Sequence, residues 1–261
     1  VVVDTLHTTR NKVRRDDSYK HSARAAKLLR ERGSHDPVHL LALLILQSPI
    51  AARAQNEMDK KRGGYKNHKA RLFELIDFND TFVTTVLALD EDELAGFNLA
   101  LKAELTEFAR RMRVPGFSDK QFEAITHGLS REIAVLRGAR KLGYLARMTS
   151  RVQDSKGVDM IITDPETKKS LGVDIKTRSS FHFRLLNLQR QRRIDEEKRL
   201  ACELTGFCTI SYETPYEKSE TVLLRIATRD LGPIKGFGFI DLAPLSQHLA
   251  NAFEHHGKYI V

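Results

Sequence analysis

Asp159, Asp174 and Lys176 are the residues whose types and spacing could do chemistry. Asp159 lies in Gly157-Val158-Asp159-Met160-Ile161-Ile162, and the other two lie in Leu171-Gly172-Val173-Asp174-Ile175-Lys176-Thr177, with a turn at Asp164-Pro165 between the segments. Side chains alternate along a strand, so Asp174 and Lys176 share one face while Val173 and Ile175 enter the opposite core. If the two segments pair as a hairpin, Asp159 reaches the same patch. Two carboxylates could then share a Mg²⁺ ion, and the lysine could hold or deprotonate a water. That inventory suits phosphodiester hydrolysis. An Asp-x-Lys strand alone is ordinarily a solvated face with an ion pair, so the reading depends on the elements around it.

Residues 118–141 predict a helix with an apolar stripe of Phe122, Ile125, Leu129, Ile133 and Leu136. Glu132 falls on that stripe, where an ionised carboxylate must find a partner; Glu123 is the weaker alternative. Gly143 breaks the helix, and β-rich segments follow at 144–149, 157–163 and 170–177. Next come a charged helix over about 186–204 ended by Gly206, strands at 207–212, 222–228 and 237–240, and a last helix over 245–255. This order predicts an α/β domain over residues 116–261, its sheet covered by helices. Residues 1–115 read almost wholly as helix, over 18–32, 37–50, 69–76, 81–89 and 91–112, with breaks at Gly63-Gly64 and Val114-Pro115-Gly116. They form a helical domain suited to binding nucleic acid or a partner.

The Gly-Val-Asp segment, the gap to Asp174, the Asp174-Ile175-Lys176 triplet and the apolar surroundings of each resemble the PD-(D/E)XK nuclease superfamily, which includes restriction endonucleases, Holliday-junction resolvases and many repair nucleases. The resemblance covers roughly half of the chain, and Val158 departs from the proline often found there. It implies a restriction endonuclease-like core, a mixed sheet flanked by helices, built as helix, three antiparallel strands, helix and strand. It also implies that Asp159, Asp174 and the Ile175 carbonyl hold Mg²⁺, with Mn²⁺ as a substitute, and that Glu132 contributes to the metal site. Lys176 would position or activate the water, and the products would carry a 5′-phosphate. Related helices after the lysine strand supply a glutamine or basic group, which points to Gln189. Thr177 and Arg178 after the strand, and Arg137, Arg140 and Lys141 on the preceding helix, are candidate nucleic-acid contacts.

Composition agrees with a polyanionic partner: 43 basic against 34 acidic side chains give a formal charge of +9. DNA is favoured over RNA. A homodimer would place two such sites across a duplex. No run reaches the about 18 to 20 consecutive apolar residues of a membrane span, and the opening lacks the layout of a secretion signal. Cys202 and Cys208 are too few for a disulfide framework and lack a CxxC or CxxH companion. A reducing, cytoplasmic setting is expected. The chain starts without Met, which reads as a processed product or an excised part of a longer protein. His127, His182 and the His255-His256 pair have no ligand partner at metal spacing, and Phe181 and Phe183 read first as packing residues. A DNA endonuclease of the restriction, repair or junction-resolving type is therefore expected. The alternatives are an RNA- or tRNA-cleaving toxin domain and a binding module that keeps the fold without turnover.

Overall fold

The computed structural model describes residues 2–33, 35–60, 69–90, 92–154, 157–214, 217–227 and 231–254. The Gly63-Gly64 break and the His255-His256 pair lie outside the described residues. The chain divides into two compact units, Val1–Leu129 and Ser130–Val261.

The first unit holds α1 (Val2–Arg32), α2 (Pro37–Lys60), α3 (Lys69–Ala88), α4 (Phe97–Met112) and the start of α5 (Asp119–Lys141). Helix α2 packs on α1 and α3 and also touches α4. By length and composition α2 alone among the described helices could cross a membrane, with a mean hydropathy of 1.3 in its most apolar window. Half of that window is buried inside the protein. Pro49 removes a backbone donor within α2, and the Ser48 hydroxyl bonds the Ile45 carbonyl at 2.8 Å, occupying the acceptor that residue 49 cannot reach. Two helices expected over 69–76 and 81–89 are one, α3. The polar residues between them do not break it, and Thr81 and Thr84 meet their hydrogen-bonding needs within the helix, donating to the Asp77 and Asp80 carbonyls. The helix expected from residue 91 begins only at Phe97, after a turn segment capped by Gly96.

The second unit is α/β. After the end of α5 come β1 (Leu145–Met148), α6 (Arg151–Asp154), β2 (Met160–Thr163), β3 (Ser170–Lys176), α7 (Arg178–Arg190), α8 (Glu196–Thr205), β4 (Phe207–Thr214) and β5 (Glu217–Ala227). The short strands β6 (Ile234–Lys235) and β7 (Gly238–Phe239) pair with each other, and α9 (Ala243–Glu254) follows. The sheet order is β1-β2-β3-β5-β4. Strands β1, β2 and β3 run antiparallel in turn, β5 lies parallel beside β3, and β4 pairs antiparallel with β5 at the edge. A parallel neighbour cannot be reached by a tight turn, so the chain between β3 and β5 carries α7, α8 and β4.

The single charged helix expected over 186–204 is two helices. Arg192 sits in the left-handed region at φ 56°, and Asp195 restarts the chain by accepting the Lys198 N–H at 2.7 Å. Gly206, at φ 72°, ends α8. Phe181, Leu185 and Leu188 of α7 and Cys202 of α8 form one apolar cluster with Ile194, Val158, Cys208 and Ile210. Four of the five residues of the α5 stripe are buried, Phe122, Leu129, Ile133 and Leu136 each being under 5 % exposed, while Ile125 is half-buried. Strand β3, with Leu171 to Ile175 buried throughout, is covered on both faces.

Candidate active site

The two motif segments do form a hairpin. Met160 of β2 stands opposite Val173 of β3, and the ladder continues one residue beyond β2, where the Asp159 N–H donates to the Val173 carbonyl at 2.8 Å. Gly157, at φ 86°, supplies the left-handed turn that brings Val158 and Asp159 into line. The Thr149 N–H donates to the Asp159 carbonyl at 3.2 Å, so the backbone of Asp159 is held from both sides.

Its side chain is equally fixed. Asp159 Oδ2 accepts the Ile175 N–H at 2.6 Å and lies 3.5 Å from Lys176 Nζ. Lys176 Nζ also donates to the Ile175 carbonyl at 3.1 Å and pairs with Asp174 Oδ1. The ammonium therefore sits among three oxygens, Asp159 Oδ2, Asp174 Oδ1 and Ile175 O. Asp174 is 1 % exposed; its Oδ1 accepts no well-formed hydrogen bond, and its other oxygen faces Arg225 Nε at 2.5 Å.

Glu132 reaches the same cluster from α5. Burial pushes its carboxyl well above the usual carboxylate range, and the neighbouring Asp159 charge pushes it further, with Lys176 opposing. Burial likewise lifts Asp159 to about 6 against the pull of the Lys176 ammonium, with Asp174 adding to the rise. For Lys176, burial works to lower the pKa, but Asp159 and Asp174 outweigh it and raise the group. The cluster thus carries crowded negative charge that one lysine only partly offsets.

Such crowding has the chemistry of a cation site. The three oxygens around the ammonium are hard donors of the kind Mg²⁺ takes, and the lysine is itself a cation resting where they converge. Among the described residues no three His, Cys, Asp or Glu side chains group as metal ligands; the third donor here is a main-chain carbonyl. Asp159, Asp174 and Ile175 O fit a divalent cation, and Glu132 lies close enough to feel their charge.

Two participants escape a reading of the motifs alone. Arg225 of β5 is 8 % exposed and binds Asp174 directly; its one signal is a single charge within the apolar run Val222-Leu223-Leu224-Arg225-Ile226. Asp154, at the end of the short helix α6, adds to the charge felt by both Glu132 and Asp159.

The remaining candidates are placed less centrally. Arg137 is half-buried, and Arg140 and Lys141 are exposed at the end of α5. Arg140 Nε donates to the Ala146 carbonyl at 3.0 Å, tying α5 to β1. Thr177 is the N-cap of α7, its hydroxyl accepting from the Ser180 N–H, and Arg178 is exposed on the first turn of that helix. Gln189 is half-buried near the end of α7. None of these is among the groups that most strongly shift Glu132, Asp159 or Lys176. Glu123 is exposed and pairs with Lys102 at 3.3 Å. Phe181 is core, whereas Phe183 is 64 % exposed. His182 pairs with Glu203 at 2.7 Å, His127 is exposed, and Cys202 and Cys208 are free and buried.

No protein-family model, curated protein or solved structure matches the chain.

Proposed function

We propose that the chain is a Mg²⁺-dependent endonuclease of the PD-(D/E)XK type that hydrolyses phosphodiester bonds in DNA. The observation that carries this reading is the meeting of Asp159, Asp174, Lys176 and the Ile175 carbonyl around one point, with Glu132 beside them. A surface ion pair does not require a second buried carboxylate, a main-chain oxygen and a helix glutamate to converge with it. The element order is compatible with this reading, since α5, three antiparallel strands and a helical crossover precede a strand parallel to β3; two crossover helices stand in place of one, and the strand beside β3 is β5, with β4 before it in the chain and outside it in the sheet.

In this mechanism Asp159, Asp174 and the Ile175 carbonyl would hold the cation, with Glu132 adding its charge beside them. When bound, the cation supplies Lewis-acid stabilisation of the charge that grows on the phosphate. Asp159 is prepared for its part by the Ile175 N–H, which holds Oδ2 and so fixes the direction in which Oδ1 points. With the cation in place, Lys176 would turn its ammonium away from these oxygens to orient the attacking water and donate to the phosphate oxygens. Burial sharpens each of these interactions, because little solvent competes for the charges.

The test is incubation of the protein with plasmid, single-stranded DNA, branched DNA and tRNA, each with Mg²⁺ and with EDTA. Cleavage of DNA that needs Mg²⁺ and is lost in Asp174→Ala is the expected result. Undiminished cleavage by Asp174→Ala would overturn the site, cut tRNA beside intact DNA would transfer the activity to RNA, and tight binding with no cleavage of any substrate would leave a binding module.

A further inference from the structure

Asp174 of β3, Arg225 of β5 and Cys208 of β4 are register partners on three neighbouring strands, so the three side chains lie in one row on one face of the sheet. Within that row the Asp174 carboxylate is divided between two cations. Oδ2 meets Arg225 Nε at 2.5 Å, and Oδ1 faces the Lys176 ammonium. Arg225 is 8 % exposed and Asp174 1 % exposed, so this guanidinium is not an outward-facing contact for a phosphate backbone. Its business is with the aspartate.

We propose that Arg225 is a positioning residue that occupies Asp174 Oδ2 and thereby presents Oδ1 as the single oxygen offered to the divalent cation. The inference rests on the cation site of the proposed function. The aspartate carboxylate can otherwise rotate about its terminal torsion, χ2, to offer either oxygen or both. A buried charged hydrogen bond from a planar, permanently protonated donor pins that torsion. Lys176 cannot serve in the same way, because its ammonium occupies the convergence point that the cation would take. Arg225 approaches from the adjacent strand at a position fixed by backbone register, and it remains the counter-charge of Asp174 after the lysine has moved. Outer partners of this kind set the affinity of a metal site even though they never touch the metal.

Mn²⁺ binding by the intact chain, measured by titration calorimetry and by the loss of free-ion paramagnetic resonance signal, tests this without reference to turnover. Wild-type protein is expected to bind Mn²⁺. Arg225→Met should weaken binding by about 10- to 100-fold while far-UV circular dichroism stays unchanged. Arg225→Lys, which keeps the charge and loses the planar fork, should fall between the two. In cleavage assays both variants should raise the Mn²⁺ concentration needed for half-maximal rate more than they lower the rate at saturating metal. If Arg225→Met does not fold, Arg225→Lys decides on the same scale. Wild-type Mn²⁺ affinity in a folded Arg225 variant would overturn the inference and leave the arginine as a structural partner only. A wild-type protein that binds no Mn²⁺ would overturn the cation site itself, a distinct failure that takes this inference with it.

Discussion

If burial and neighbouring charge raise Asp159 to about 6 from an ordinary 3.8, the folded protein works against this group whenever the pH is neutral. Carrying an acid over that interval is worth about 3 kcal/mol at about 1.4 kcal/mol per pH unit. The folded state holds the proton more tightly than the unfolded chain between those two values. Stability in the absence of metal is therefore full below pH 4 as far as this group is concerned, and it is lost as the pH rises through about 6. Asp159→Asn removes the charge while its amide oxygen can still accept the Ile175 N–H. It also relieves Glu132, for which Asp159 is the largest contributor after burial. In EDTA at pH 8 the variant should be more stable than wild type by up to about 3 kcal/mol, and the gap should close as the pH approaches 4. Mn²⁺ at about 1,000 times its dissociation constant should reverse the order, because it stabilises wild type by about 4.1 kcal/mol and on this reading the variant lacks one of the cation's oxygens. Urea denaturation followed by far-UV circular dichroism at pH 4, 6 and 8, with EDTA and with Mn²⁺, measures all of this. A variant less stable than wild type at pH 8 in EDTA, or a gap that ignores pH, would refute the reasoning.

Glu132→Gln, which keeps shape and removes a carboxyl held high by burial, should preserve the thermal transition in EDTA. It should cost about 10- to 100-fold in metal-dependent cleavage or Mn²⁺ affinity, and equal activity in a Mn²⁺ titration counts against its place in the site. Lys176→Ala should abolish cleavage and spare nucleic-acid binding in a gel-shift assay. It should also bind Mn²⁺ at least as tightly as wild type, since the ammonium no longer sits among the three oxygens; calorimetry showing lost binding contradicts that picture. In the helical unit, both amide atoms of Gln47 are buried without hydrogen-bond partners among the described residues. Gln47→Leu should accordingly stabilise by about 1 to 3 kcal/mol, read as a higher midpoint in thermal denaturation, and a lower midpoint counts against it.

The parts of the site that were legible in sequence are those encoded by short periods. Alternation put Asp174 and Lys176 on one face of β3, and the buried helical stripe through Leu129, Ile133 and Leu136 brought the half-buried Glu132 to the carboxylates. Arg225 was not legible, because it lies 51 residues beyond Asp174 and parallel pairing of β3 with β5 leaves no local trace. Asp154 was hidden in a helix of 4 residues, too short for a periodic signal. The division of α7 from α8 was masked by the charged stretch around Arg192, although Asp195 with Glu196 and Glu197 after it is a helix-start pattern. Thr177 illustrates the opposite case, since a hydroxyl next to the Asp174-Ile175-Lys176 triplet invites a ligand role when its immediate use is to cap the following helix.

The arrangement of β5 between β3 and β4 also imposes an order in time. β4 precedes β5 in the chain yet stands outside it in the sheet, so β4 has no neighbour of its own until β5 enters the slot. The hairpin of β2 and β3 can assemble from nearby residues, whereas the Asp174–Arg225 pair must wait for closure of a long connection, the slower class of contact. During synthesis the carboxylates exist before the arginine has been made. Unlike the β2–β3 hairpin, the Asp174–Arg225 contact thus belongs to the long-range part of the fold, and the site is complete only once the sheet has closed.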